Sequence, residues 1–511
     1  MYKSGLVIIT KGLTEKNLNQ IYNYARKCIN NRLYVSVKGF SPYNGDWKLS
    51  IKNCYNIASK VCPNLDVRLL LPNSEKTLND ADISVVLCDD VSIEYERLKD
   101  FITHISVKLP EILLKFDGVG ETKFETALGY ESRFRNVCLG GTFDRLHNGH
   151  KILLSISALM AREKLFCGVS GEDLINQKFL YELIEPLPTR IDNCLSFLKD
   201  IKPNIKYTVE CINQAFGPTV DNPDFDCIVG SVETESGCQK INAARVKKGF
   251  SPLNIELIEL LEEQFDLQEI SDEKKISSSK NRVKLLGEML RSSNSICQPG
   301  KPYIIGLTGG IASGKSSIAE QLKSFGAEII DCDKLGHEAY IPGSDCFNKL
   351  VSVFGNAIVN KETGLINRAQ LGAIVFNNPL EMKKLTDVVW PAIADLAKMR
   401  IESINDSMKQ KGKDKQIVII DAAVLLDAGW EIFCNEVWVS FVPRNEAIQR
   451  IKNRNKLSEE QATSRINSQK SSKFYVDAAN VVFCTLWSYE FTHSQLQKAW
   501  DSLIDRIKEK S

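Results

Sequence analysis

The sequence predicts an α/β protein built as three units in series, and three observations carry that prediction. Apolar runs of four or five residues, such as Leu6-Val-Ile-Ile9 and Ile417-Val-Ile-Ile420, alternate with mixed, helix-like stretches; that alternation folds as strands with covering helices. One such run ends in a complete phosphate-binding loop, Gly309 to Ser316. The polar stretch Arg291-Ser-Ser-Asn-Ser-Ile-Cys-Gln-Pro-Gly300 reads as a linker. The expected division is 1–132, 133–298 and 299–511, and 511 residues give each unit enough chain to bury a core.

Taken in order, the first unit shows strand-like runs at Leu6–Ile9, Leu33–Val37, Val67–Leu71 and Ile83–Leu87. It has no glycine-rich phosphate loop, no metal-spaced cluster and no nucleophile–base pair. Its histidine, His104, sits in an apolar context that suggests a structural role. The unit therefore reads as a localisation or partner module. A chain starting near Ser132 is expected to lose little buried surface and to keep any activity of the other two units. No sequence repeat is visible, and Ser277-Ser-Ser279 is the one low-complexity tract.

The second unit opens with a strand, Val137-Cys-Leu-Gly-Gly141, that runs into Thr142-Phe-Asp-Arg-Leu-His-Asn-Gly-His150 and then a helix pattern, Lys151 to Met160. His147 and His150, three apart at a helix start, share a side where backbone donors attract anions. Gly149 permits close backbone approach, and Thr142 adds a hydroxyl on the same turn. Far downstream, Ile276-Ser-Ser-Ser-Lys280 with Arg282 offers the other half of a phosphate clamp through Ser277, Ser278 and Ser279.

In the third unit the strand Tyr303–Leu307 leads into Gly309, Gly310, Ile311, Ala312, Ser313, Gly314, Lys315 and Ser316, which satisfies G-x-x-x-x-G-K-S. Amides of such a loop point at phosphate oxygens, Lys315 reaches the β/γ phosphates, and the Ser316 hydroxyl suits Mg²⁺. Asp331 and Asp333 follow the next apolar strand, and Asp421 ends another; both sites fall where a parallel sheet opens onto its ligand.

Sixty-five basic residues against 64 acidic ones leave no net field to favour nucleic acid or a membrane surface. Fifteen scattered cysteines without C-x-x-C argue against disulfide frameworks and zinc knuckles, and for reduced thiols in the cytoplasm. No apolar run approaches a membrane span and the N-terminus lacks a signal-peptide pattern. Association with an organelle surface, the mitochondrial one included, stays open.

The histidine and serine motifs together resemble the nucleotidylyltransferase superfamily, whose domain is Rossmann-like, and most of all phosphopantetheine adenylyltransferases of the eukaryotic type. The third unit is similar to dephospho-CoA kinases, which carry a helical lid. The matching stretches are the phosphate loop, Ile329–Asp333, Ile366–Arg368, Asp421–Asp427, Gln449–Arg454 and Arg465–Gln469. In this order the two resemble the bifunctional CoA synthases of animals.

That resemblance implies ATP, 4′-phosphopantetheine and dephospho-CoA as substrates, with Mg²⁺. It implies His150 at the reacting phosphate, Gly141, Thr142 and His147 at the nucleotide, Lys178 steering the acceptor phosphate, and the serines on the departing pyrophosphate. An arginine expected near Ser236 is absent, with Lys240 or Arg245 as replacements. In the kinase it implies Asp333 as base, although a strand-end Asp also caps helices. It further implies Asp421 in the Mg²⁺ shell, Arg368 on the acceptor, Arg450 and Arg454 beside adenine and phosphates, and Arg465 on a closing lid. Trp390-Pro391 stands where kinase relatives commonly have His-Pro. The motifs also allow two other readings. One is an aminoacyl-tRNA synthetase-like enzyme, opposed by the neutral charge and the kinase segment; the other is a nucleotide-gated scaffold, opposed by intact Lys315, Asp333 and His150.

Overall fold

The computed structural model describes residues 1–37, 47–71, 83–90, 113–115, 133–259, 278–293, 300–376, 378–410 and 416–509. His104 and Ser277 lie outside the described residues, as do 294–299 of the expected linker. The chain forms two compact bodies, 1–278 and 279–511, and three five-stranded sheets.

The first body holds two of the sheets. Strands β1 (Tyr2–Ile9), β2 (Ile29–Val37), β3 (Asp66–Leu69), β4 (Val85–Cys88) and β5 (Leu113–Lys115) are parallel, in the order β3-β2-β1-β4-β5. Both faces are covered, which is why these strands read as apolar runs rather than alternating ones. Helix α1 (Glu15–Cys28) starts where Thr14 accepts from the Asn17 amide at 3.3 Å, and it carries Glu15 in its first turn and Arg26 and Lys27 in its last. Its Leu18, Ile21, Tyr22 and Ala25 lie on one stripe and are fully buried. Helix α2 (Trp47–Val61) packs beside it.

The second sheet contains β6 (Phe134–Gly141), β7 (Ala161–Ser170), β8 (Lys206–Ile212), β9 (Cys227–Ser231) and β10 (Asn254–Ile258), ordered β10-β9-β6-β7-β8 and again all parallel. Counted from each sheet's own first strand, both orders are third-second-first-fourth-fifth. The topology is therefore repeated although the sequence shows no repeat. Helices α3 (Asn148–Met160), α4 (Leu187–Ile201) and α5 (Glu235–Lys247) belong to this sheet.

The two sheets share one hydrophobic core, with Tyr55, Ile57, Ala58 and Val67 clustered with Ile152, Ile156, Leu159, Phe197 and Ile201. This corrects the expectation that a cut near Ser132 removes little buried surface: the 1–132 segment contributes half of a common interior.

Helix α6 (Ser278–Lys284) runs from the last residue of the first body into the second. Past it, the Gly287 amide donates to the Val482 carbonyl at 2.9 Å and the Leu290 amide to the Asn480 carbonyl at 2.7 Å. The Ser293 hydroxyl reaches the Asn435 carbonyl at 2.6 Å. Residues 279–293 thus pack with the third sheet. The apolar residues of Leu285–Leu290 demand such cover, and Leu286 is buried.

The third sheet holds β11 (Tyr303–Gly309), β12 (Glu328–Asp331), β13 (Ile417–Asp421), β14 (Glu436–Phe441) and β15 (Val481–Cys484), parallel in the order β12-β13-β11-β14-β15. Helices α7 (Lys315–Ser324) and α8 (Cys332–Ala339) follow β11 and β12 directly, and α9 (Arg368–Val375) and α10 (Pro379–Gln410) come later in the chain, after a further helix at Asp345–Phe354. Helix α11 (Arg444–Asn455) precedes α12 (Glu459–Asn467), which starts at a full capping box of Ser458 and Gln461. Helix α13 (Tyr489–Glu509) closes the body. No helix among the described residues is long and apolar enough to cross a membrane.

Candidate active sites

The first site lies at the carboxyl end of β6. There the chain turns through Thr142–His147 into α3, with His147 as the residue preceding the helix and His150 in its first turn. The two imidazoles stack, centroids 3.9 Å apart and planes 26° from parallel, and Phe143 lies 5.4 Å from the His150 ring. The role of Gly149 is narrower than the sequence suggested: a Cβ there would stand 3.1 Å from the His147 ring, so glycine makes room for the stack.

Burial pushes His147 down to about 4, against a pull upward from Asp144. It also holds His150 well below the usual histidine range, helped by the charges of His147 and Lys178. Both rings are therefore neutral near pH 7. The His150 Nδ1 is buried and makes no hydrogen bond within the protein, so it offers a polar atom to a ligand.

Lys178 itself is exposed, close enough for its charge to act on His150. Gly141 and Thr142 are half-buried on the turn, and the Thr142 carbonyl accepts from Arg190 at 2.9 Å.

Several residues of this turn were missed by sequence reasoning. Phe143 and Arg145 adopt left-handed backbone angles, φ 51° and 45°, a cost that the surroundings must hold in place. Asp144, fully buried, accepts from the Glu185 amide at 3.0 Å and from Arg145 at 3.1 Å. The Arg145 amide donates to Glu185 at 2.8 Å. Arg190, 1% exposed, ties the Thr142, Ser170 and Glu185 carbonyls together at 2.9 Å each.

The Ser236 departure also has an answer. Arg245 is fully buried and its guanidinium is spent on the Ser251, Thr219, Asn222 and Pro223 carbonyls, so it cannot supply the missing cation. Lys240 is exposed on α5. In the serine segment, Ser278 opens α6, and Ser279 accepts from the buried Arg282 at 3.0 Å.

The second site is built where β11, β13 and β12 end side by side. Leu307 pairs with Asp421, and Asp421 with Asp331, so both carboxylates leave the sheet beside the phosphate loop. At Gly309, φ is 156° and a Cβ would lie 2.2 Å from the Ser440 carbonyl, so no larger residue fits. Gly310 and Ile311 form the open bend, and the Ile311 amide donates to the Gln469 side chain at 2.9 Å. Ala312 takes a left-handed φ of 60°, Ser313 bonds Ser440 through the hydroxyls at 2.7 Å, and Gly314 begins α7 at φ 83°.

Lys315, first residue of that helix, forms an ion pair with Asp421, both side chains mostly buried. Burial raises the Asp421 carboxyl, as do Asp331 and Asp333, against the pull of Lys315. Ser316 is exposed beside it.

The carboxylates divide their roles. Asp331 caps α8, accepting from the Lys334 amide at 3.1 Å. Burial opposes its ionisation, but the Lys334 amide and ammonium outweigh that and hold it low. Asp333, the base implied by resemblance, is exposed in the first turn of α8, and its charge acts on Asp421.

The arginines are unequal. Arg450 holds the Ala312 carbonyl at 3.2 Å and the Thr485 hydroxyl at 2.7 Å, and Thr485 in turn holds the Ser313 carbonyl at 2.9 Å. It braces the loop from behind. Arg454 is exposed, with Asn455 at 3.2 Å, and Arg465 is exposed on α12. Arg368 begins α9 with its guanidinium 6.0 Å from the Tyr340 ring. Trp390 and Pro391 lie inside α10.

Known proteins match both bodies. Residues 303–485 match the dephospho-CoA kinase family and residues 138–284 the cytidylyltransferase-like family. A phosphopantetheine adenylyltransferase of Saccharomyces cerevisiae is 36% identical over 174 residues, 34% of this chain and 54% of that protein. The chain thus spans about half the length of that relative. A dephospho-CoA kinase of Moorella thermoacetica is 34% identical over 39% of this chain and 92% of its own length. Another, of Geobacillus kaustophilus, is 36% identical over 39% of this chain and 97% of its own. The chain belongs to the dephospho-CoA kinase family through residues 303–485, and ahead of that segment residues 138–284 are similar to the cytidylyltransferase-like family.

Proposed function

We propose that this chain makes coenzyme A from 4′-phosphopantetheine in two steps. The first joins 4′-phosphopantetheine to the adenylyl group of ATP and releases pyrophosphate; the second phosphorylates the ribose 3′-hydroxyl of dephospho-CoA. One observation carries the reading: a stacked His147–His150 site and a phosphate loop with Asp421 occur in one chain, and the product of the first chemistry is the substrate of the second.

In the first step the acceptor is already an anion, so positioning and charge neutralisation matter more than a base. His150 and His147 would bind phosphate oxygens as neutral donors at the positive end of α3. Lys178 would bring the acceptor phosphate in line.

In the second step the nucleophile is a neutral alcohol, and the Asp333 carboxylate would accept its proton. Lys315 would leave Asp421 for the β/γ phosphates, while Arg450 keeps the loop in shape. Arg368 and Arg465 would bind dephospho-CoA, and Arg454 the nucleotide. The Ser316 hydroxyl and the strand-end carboxylate of Asp421 are hard oxygen donors and fit Mg²⁺, which would neutralise charge on the transferred phosphoryl group. The reading puts the enzyme in the cytoplasm, supported by the described cysteines, all of them free thiols.

Incubation of the pure protein with 4′-phosphopantetheine, ATP and Mg²⁺ tests the reading. Pyrophosphate followed by ADP and CoA is expected; release of neither product from folded protein would sink it.

A further inference from the structure

The first sheet supplies no residue to either reaction, yet it grips the helix that carries the histidines. Its own anion position is already filled. The turn after β1 corresponds to the turn after β6, each following the first strand of its sheet. There the fully buried Asp89 carboxylate accepts from the Thr10 amide and hydroxyl at 2.8 Å each, the Lys11 amide at 3.2 Å and the Asn17 side chain at 2.9 Å. Donors that would face a phosphate in a nucleotide site face an internal carboxylate instead. A nucleotide-binding role for this sheet is thereby disfavoured.

What the sheet does touch is specific. Asn148, between the two histidines, donates to the Ser59 hydroxyl at 2.8 Å and to the Tyr55 carbonyl at 3.2 Å, both on α2. Lys151, next to His150 and 4% exposed, donates to Asp66 at 2.7 Å and to the Val67 carbonyl at 3.1 Å. Asp66 is fixed in turn by Arg32 at 2.9 Å and Arg68 at 3.0 Å. One turn further along α3, Ser155 meets the Tyr55 hydroxyl at 3.3 Å. The polar contacts thus converge on the first two turns of α3, the part that presents His147 and His150.

We propose that the N-terminal sheet is a positioning element of the adenylyltransferase site, with Ser59 and Asp66 as positioning residues acting through Asn148 and Lys151. The inference rests on the reading of that site as an adenylyltransferase. A short helix start carrying two histidines and a glycine at 149 has little stiffness of its own, because its first amides have no partners within the helix. Anchoring the residues on either side of the His150 turn fixes the ring positions relative to the bound phosphates. Displacement of reacting groups by about 1 Å can cost on the order of a hundredfold in rate.

The test uses the full chain with ATP and 4′-phosphopantetheine, scoring pyrophosphate release per folded molecule. Ser59→Ala removes one acceptor from Asn148 without opening the core, and Asp66→Asn removes the anionic partner of Lys151. Both are expected to lower kcat, by about threefold and at least tenfold respectively, with KM for ATP changed less than about twofold. Phosphorylation of added dephospho-CoA should stay at the wild-type rate and serves as the internal control. Wild-type kcat per folded molecule in either variant overturns the proposal, because a merely structural role would lower the folded fraction alone. Wild-type enzyme that releases no pyrophosphate would instead overturn the functional reading beneath it.

Discussion

Replacing Lys315 by Met tests the separation of the two sites most directly. The substitution keeps the length of the side chain and removes its charge. In the kinase step that charge is expected on the β/γ phosphates, where loss of one preorganised electrostatic contact costs about 10²–10³ in kcat, or about 2.7–4 kcal/mol. The same change leaves Asp421 without its cation in a setting where both side chains are only 13% and 11% exposed. Breaking a buried pair costs about 3–5 kcal/mol when the remaining charge stays ionised. Here the Asp421 carboxyl is already raised by burial, and Lys315 is the strongest influence holding it down. Without Lys315 it moves further up, which lessens the cost of leaving the carboxylate unpaired. The assay follows pyrophosphate, ADP and CoA from one incubation. Dephospho-CoA should accumulate, CoA formation should fall by about 10³-fold, and the initial rate of pyrophosphate release should remain within about twofold of wild type. If pyrophosphate release fell in parallel with CoA, in a variant whose circular dichroism and melting showed an intact fold, the assignment of two separate sites would be wrong.

The converse change, His150→Ala, should lower pyrophosphate release by at least about a hundredfold while phosphorylation of added dephospho-CoA continues normally; loss of both would point to a single composite site. Gly309→Ala forces a Cβ to within 2.2 Å of the Ser440 carbonyl, so the loop must shift and ADP formation should collapse, with the first step spared; normal kinase turnover would show the loop to be softer than its packing. The histidines set a pH dependence as well. His147 sits at about 4 against an ordinary 6.5, so as pH falls through that window the unfolded chain binds the proton first. Its contribution, up to about 3 kcal/mol, is present above about pH 6.5 and is lost toward pH 4. Melting curves from pH 7.5 to 4.5 should show a steeper fall for wild type than for His147→Gln; identical slopes would contradict the buried neutral ring.

Much of both candidate sites could be read from the chain because their requirements are local. A phosphate loop needs glycines at fixed spacing, and Gly309, Gly314, Lys315 and Ser316 fall within one stretch of eight consecutive residues. The strand-end aspartates were legible for the same reason, since apolar runs announce the ends at which Asp331 and Asp421 stand. Partnerships across long separations were not legible. The resemblance puts Arg450 beside adenine and phosphates, but nothing near it in sequence shows that it supports the loop 138 residues away. Asp66 gives no local sign that Lys151 will need it. The long-range hydrogen bonds of Leu285–Leu290 were hidden for the same reason: these residues follow the serine motif in sequence, but Gly287 and Leu290 bond to Val482 on β15 and to Asn480 before it. Composition could not reveal that 1–132 shares a core with its neighbour, because a strand buried against a foreign helix looks like one buried against its own.

The shared core also has a direction in time. The first ninety or so residues leave the ribosome well before Met160, the last residue of α3, and N-terminal segments generally begin to fold as they emerge. Until α3 is made, the α2 surface around Tyr55 and Ala58 has no cover from it. A nascent chain at that stage presents apolar surface of the kind chaperones bind. Amino-acid changes in this early segment should therefore be felt in how much enzyme a cell accumulates, as well as in how fast each molecule turns over.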